Sequence, residues 1–101
     1  MEIRLLYFEG CPHWQTLHGR LREALRAVGM AGVEPILERV ETAEDAERLR
    51  FIGSPTILLD GRDPYARAEA TFGLTCRVYE TPYGLAGSPT PEQVRAALRA
   101  T

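Results

Sequence analysis

One short stretch of the sequence, Cys11-Pro12-His13-Trp14, combines residue types suited to thiol chemistry and follows an apolar run that begins at Ile3. The segment after it has helical periodicity, so Cys11 lies where the first N–H groups of a helix lack intrahelical partners. Those donors and the positive end of the helix dipole favour the thiolate over the thiol. Pro12 suits the first helical position, and a protonated His13 would add positive charge near the same sulfur. The sequence therefore predicts that Cys11 is an acidic, nucleophilic thiol.

A second stretch, Gly53-Ser54-Pro55-Thr56, leads into an apolar strand. It resembles the cis-proline loop of thioredoxins and glutaredoxins, and the Cys-Pro-His of the first stretch resembles the start of the Cys-Pro-His-Cys motif of the periplasmic disulfide oxidases. Both belong to the thioredoxin-like superfamily. The resemblance implies that Ser54, Pro55 and Thr56 face Cys11 and position the bound partner. The same tetrapeptide recurs at residues 87–90 but leads into a helix, so we place the cis-proline at Pro55.

The resolving cysteine of that motif is replaced by Trp14, which is most simply a core or rim residue and could also shield the sulfur. The other cysteine, Cys76, can pair with Cys11 only if the Cα atoms come within about 4.4–6.8 Å. In the simple topology the fourth strand begins at the far end of the sheet. Pairing then requires that the preceding loop carry residues 74–77 over the Cys11 end. The sequence favours a buried Cys76 that does not pair.

The periodicities predict a single α/β domain over residues 1–101 in the order β-α-β-α-β-β-α, the order of the thioredoxin-like fold, with a four-stranded mixed sheet flanked by helices. Pro35 suggests that the second strand lies at an edge, and a helical turn is expected around residues 66–70. The predicted strands are 3–8, 33–40, 56–59 and 75–80, and the predicted helices are 12–28, 43–50 and one that begins with a capping box at Thr90.

Composition narrows the function classes. A net charge of −2 argues against nucleic acid as the main partner, and no stretch approaches the roughly 20 apolar residues of a membrane span. The N-terminus leads straight into the first strand, so a cytoplasmic location is expected.

In a reducing compartment, two cysteines are typical of redox, catalytic or metal sites rather than structural disulfides. No cofactor and no zinc site is predicted, because the histidines and cysteines do not have ligand spacing. Asp60 and Asp63 are expected to be solvated turn residues.

The leading hypothesis is thiol–disulfide exchange, in which Cys11 attacks a disulfide or an oxidised sulfur and forms a mixed disulfide. An external thiol such as glutathione, or else Cys76, would then resolve the intermediate. The expected partners are proteins or low-molecular-weight thiols and disulfides. Two alternatives remain open: a binding module without redox turnover, and capture of a soft metal such as mercury or copper(I) by Cys11 and Cys76. The sequence also leaves a homodimer open.

Overall fold

A short mixed sheet positions the two segments that carry the cysteines. The structure, a computed structural model, describes residues 1–66 and 71–101. Three strands form the sheet in the order β2-β1-β3, and two more form a separate hairpin. The elements are β1 (Ile3–Tyr7), α1 (Trp14–Ala27), β2 (Ile36–Arg39), α2 (Ala43–Arg48), β3 (Thr56–Leu59), β4 (Tyr79–Thr81), β5 (Gly84–Ala86) and α3 (Pro91–Arg99).

The first strand lies at the centre of this sheet, as its apolar sequence predicts. Ile3, Leu5 and Leu6 are buried, which fits a strand covered on both faces. β1 pairs in parallel with β2 across the helix α1, and antiparallel with β3. The parallel βαβ unit and the edge position of β2 are therefore confirmed. Pro35 directly precedes β2, where its missing N–H leaves the ladder intact.

The first helix begins later than the sequence predicts. Its N-cap is His13 rather than a residue before Pro12, and the N–H of Cys11 instead donates to the carbonyl of Phe8 in a turn. The other end behaves as expected, because Gly29 adopts a φ of 81° and closes the helix. The start of α3 is also confirmed: Thr90 forms a capping box at its N-terminus.

The second helix is shorter than predicted and ends at Arg48. Arg50 adopts a φ of 55°, and the N–H of Phe51 donates to the carbonyl of Ala46. This pattern is a Schellman motif, which terminates the helix at a left-handed residue. Phe51 is fully buried and packs with Leu6 and other apolar residues in a small second core. The turn therefore brings the chain back onto the sheet just before the Gly53-Ser54-Pro55 loop.

The predicted four-stranded sheet is wrong for the described residues. After β3 the chain makes one antiparallel bridge, between Leu59 and Arg62, and then leaves the sheet. Asp63 and Pro64 follow; Pro64 has no N–H with which to continue a ladder. The later segment, predicted as strand 75–80, makes a single parallel bridge with Ser54 before β4 begins.

The remaining strands form a hairpin. β4 pairs antiparallel with β5, which falls in a stretch without a predicted strand. The main core lies between the sheet and the helices α1 and α3, around apolar residues that include Leu17, Leu21, Ile57 and Val94.

Residues 67–70 carry part of the predicted helical turn and lie outside the described residues. Across residues 1–66 and 71–101, none of the helices has the length and apolar character that a bilayer crossing requires.

Candidate redox site

Cys11 lies in the turn between β1 and α1, two residues before the cap of the helix. Its N–H donates to the carbonyl of Phe8 at 3.1 Å, which holds the turn. The residue is only 2% exposed, and its thiol donates a hydrogen bond to the carbonyl oxygen of Ser54 at 3.4 Å. The sulfur of Cys11, the predicted nucleophile, is therefore buried and contacts the loop before β3.

The Ser54-Pro55-Thr56 loop faces Cys11, and the peptide bond between Ser54 and Pro55 is cis. All three residues are buried. The N–H of Phe8 donates to the hydroxyl of Ser54, and the hydroxyl of Thr56 donates to the carbonyl of Gly53 at 2.6 Å. These two hydroxyls are therefore satisfied inside the chain, whereas the family resemblance gives the positioning of a partner to Pro55 and the backbone of Thr56.

Cys76 lies directly opposite Ser54 in a parallel bridge. The N–H of Ser54 donates to the carbonyl of Thr75 at 2.8 Å, and the N–H of Arg77 donates to the carbonyl of Ser54 at 2.9 Å. That same Ser54 oxygen accepts the thiol of Cys11. The condition for pairing, residues 74–77 carried over the Cys11 end, is therefore met. Cys76 is exposed rather than buried, and both cysteines are free thiols.

The pKa of Cys76 is affected by the nearby Cys11. Its pKa is raised above the ordinary value of a thiol, first by desolvation, then by Coulombic repulsion from Cys11 and by a hydrogen bond with Cys11. A thiol whose pKa is raised stays protonated at neutral pH and is a poorer leaving group in its ionised form. The two sulfurs therefore form one interacting pair, with one inside and the other at the surface.

His13 and Trp14 each pack on another part of the fold. The His13 ring packs so closely on Gly87, in the loop between β5 and α3, that a Cβ at position 87 would lie 2.4 Å from it. Trp14 is partly buried against the main core and stacks on Tyr7, with ring centroids 4.1 Å apart. The structure thus places Trp14 at the rim of the core.

Arg77 is a site residue that the sequence analysis missed. Its side chain is only 5% exposed and forms an ion pair with Asp63, which is 13% exposed, at 2.7 Å. The expectation that Asp63 is solvated is therefore wrong, whereas Asp60 is exposed in its turn. Alternation along the extended segment could have revealed this contact. If Cys76 points outwards, its neighbour Arg77 must point inwards and needs a buried acid.

Two tyrosines line the inner side of the same segment. Burial raises the pKa of Tyr65 to about 12 and also raises the pKa of Tyr79. Their hydroxyls remain protonated and act as donors: Tyr79 donates to the carbonyl of Pro55, and Tyr65 donates to the carbonyl of Gln93 at 3.0 Å. Tyr79 therefore holds the cis-proline loop from the segment that follows Cys76, whereas Tyr65 ties the 63–65 turn to α3.

A shallow cavity of about 270 Å³ opens between the segments that carry the cysteines. Gly10, next to Cys11, and Leu74, two residues before Cys76, both line it. Its charged lining consists of Glu9, Arg39 and Glu41. The volume lies just below the range of ligand pockets, which span about 300–1,000 Å³.

The described residues contain no cluster of three or more histidine, cysteine or acidic side chains with the geometry of a metal site. A metal ion at the cysteine pair would therefore draw two thiolate ligands from this part of the chain. No protein-family model, no curated protein and no solved structure matches this sequence.

Proposed function

We propose that this chain is a thiol–disulfide exchange protein whose redox centre is the pair Cys11 and Cys76, on a thioredoxin-like fold. One observation carries the proposal: Ser54 lies against both cysteines, accepting the thiol of Cys11 while pairing through its backbone with the segment of Cys76. The parallel βαβ unit and the antiparallel β3 support the family resemblance. Cys76 then supplies the second sulfur that Trp14 cannot.

The exposure of the two sulfurs sets the order of the chemistry. An external thiolate reaches Cys76, because Cys11 is buried, and attacks that sulfur of a Cys11–Cys76 disulfide. A new S–S bond joins the partner to Cys76, the internal S–S bond breaks, and Cys11 leaves as the thiolate. A second external thiolate attacks the partner's sulfur in this mixed disulfide and releases Cys76 as a thiolate, which then takes up a proton. In sum, two thiols become a disulfide while the cysteine pair is reduced.

The reverse reaction uses the same steps. The Cys76 thiolate attacks an external disulfide, and Cys11 then attacks Cys76 and displaces the partner. The sequence assigns the first attack to Cys11, whereas its burial leads us to assign it to Cys76 and to make Cys11 the resolving thiol. The raised pKa of Cys76 fits the first step in the reduction of the oxidised pair, in which an external thiolate attacks Cys76 and Cys11 is the leaving group.

A low-molecular-weight thiol such as glutathione is the first proposed partner, in the reducing cytoplasm that the sequence predicts, because Cys76 is exposed and a small thiol can reach it. The exposed Cys76 also leaves protein thiols accessible. Neither partner requires a cofactor, because the electrons are carried by the sulfurs alone.

Soft-metal capture is a second candidate, favoured by the closeness of both cysteines to Ser54. Mercury(II) and copper(I) accept two thiolates, and their soft character selects sulfur over oxygen ligands. Such binding would be stoichiometric and would be lost in either single Cys→Ser variant. It competes with redox turnover, because both use the same two sulfurs.

The test is to follow glutathionylation in wild type, Cys11→Ser and Cys76→Ser after addition of oxidised glutathione. We expect a stable glutathione adduct on Cys76 in Cys11→Ser, and only a transient adduct in wild type because Cys11 displaces it. Cys76→Ser should react slowly, since Cys11 is buried. A wild-type adduct as long-lived as that of Cys11→Ser would instead favour the binding module without turnover.

A further inference from the structure

The guanidinium of Arg77 joins three segments around the cysteine pair. It donates to both carboxylate oxygens of Asp63, at 2.7 and 3.3 Å, and to the carbonyl oxygen of Tyr65 at 2.6 Å. It also donates to the hydroxyl of Thr56 at 3.1 Å. The same guanidinium lies 4.6 Å from the centre of the Tyr79 ring. One buried side chain therefore links the start of β3, the 63–65 turn and the start of β4.

The backbone of Arg77 completes this link on the side of the cysteines. Its N–H donates to the carbonyl of Ser54, so Cys76 is held between two interstrand hydrogen bonds. Gly53 permits the approach, because a Cβ there would lie 2.9 Å from the Cβ of Arg77, and its φ of 141° disfavours side chains. The inward Arg77 side chain thus fixes the direction in which Cys76 points.

We infer that Arg77, held by Asp63, is a positioning residue that keeps the thiol of Cys76 at Cys11 and so favours their internal disulfide. This inference rests on the proposed function. The sulfurs react with each other when the folded chain holds them in bonding geometry, and a loosely held segment lowers their effective concentration. The reaction at stake is the one already described, with oxidised glutathione as the oxidant: it accepts two electrons, and two molecules of glutathione are released.

The experiment measures the equilibrium between the dithiol and the internal disulfide in glutathione buffers, by acid quenching, alkylation and mass spectrometry. The principal variant is Arg77→Met/Asp63→Asn, which removes both charges and leaves neither one buried alone. Arg77→Lys keeps a charge for Asp63 and tests the need for the planar donor set. The stability control is Leu98→Ala, in the core at α3. All proteins are compared at a temperature where circular dichroism shows that they are folded.

We expect the equilibrium constant for the disulfide to fall at least about tenfold in the double variant, with Arg77→Lys intermediate. Leu98→Ala should lower the free energy of unfolding yet leave the constant within about twofold, because both redox states are measured in the folded chain. A double variant with the wild-type constant overturns the inference, as does an equal fall in Leu98→Ala. If the double variant does not fold, a wild-type constant in Arg77→Lys overturns it equally.

The wild-type result separates the two proposals. A wild-type internal disulfide together with an unchanged constant in the Arg77 variants overturns the role of Arg77 alone. A wild-type chain that forms no internal disulfide overturns the proposed function and, with it, this inference.

Discussion

Oxidation of Cys11 and Cys76 to a disulfide should make the folded chain about 4 kcal/mol more stable. The bond would close a loop of about 65 residues, the separation of the two cysteines in the sequence. In the chain-entropy treatment, a loop of that length removes about 14.5 cal/mol/K from the unfolded state, which is about 4 kcal/mol at 25 °C. In the folded state Ser54 already contacts the segments of both cysteines, so the bond would join neighbouring segments.

The assay is urea unfolding of the oxidised and reduced protein, followed by circular dichroism. A slope of about 1–2 kcal/mol per M in urea turns the expected gain into a rise in midpoint of roughly 2–4 M. Cys76→Ser, treated with the same oxidant, should show no such rise. An oxidised wild type that unfolds at the reduced midpoint, or below it, would refute the placement of Cys76 beside Cys11.

Three further predictions follow from the same geometry. Cys76 should be alkylated before Cys11 because it is exposed, and its rate should still rise above pH 8.5 or so, the region of an ordinary thiol, because its pKa is raised. In Cys11→Ala the pKa of Cys76 should fall and alkylation at pH 8 should accelerate; an unchanged rate would argue against contact between the sulfurs. Gly53→Ala should cost about 2 kcal/mol or more in urea unfolding, because its φ is 141° and the new Cβ would meet Arg77. Gly19→Ala is the matched control: it lies in α1 with no atom within 4 Å of a new Cβ, and should stabilise by up to about 1 kcal/mol.

The local elements could be predicted from the sequence because their signals are local. Gly29 ends α1 through its left-handed φ, and Thr90 begins α3 through its capping box. Pro35 correctly indicated an edge strand, since a proline cannot donate to a second neighbour. Each of these outcomes depends on residues within a few positions along the chain.

The paths of residues 62–66 and 71–78 could not be predicted in this way. They are decided by contacts between distant residues, chiefly the ion pair of Arg77 with Asp63 and the backbone pairing of Cys76 with Ser54. The residue types of 75–80 predicted a strand there, but they do not specify which neighbour a strand pairs with or in which direction. The same contacts decide that the second cysteine lies beside the first, so the candidate site depended on the least local part of the fold.

The most direct test of the two-cysteine centre is a peptide map of the wild-type chain after equilibration with oxidised glutathione. Under non-reducing conditions, trypsin should release residues 5–20, which contain Cys11, joined to residues 68–77, which contain Cys76. Reduction should separate the two peptides, and neither single Cys→Ser variant should yield the joined species. A wild-type map that shows only separate peptides, with glutathione on Cys76 or with both thiols free, would contradict the account.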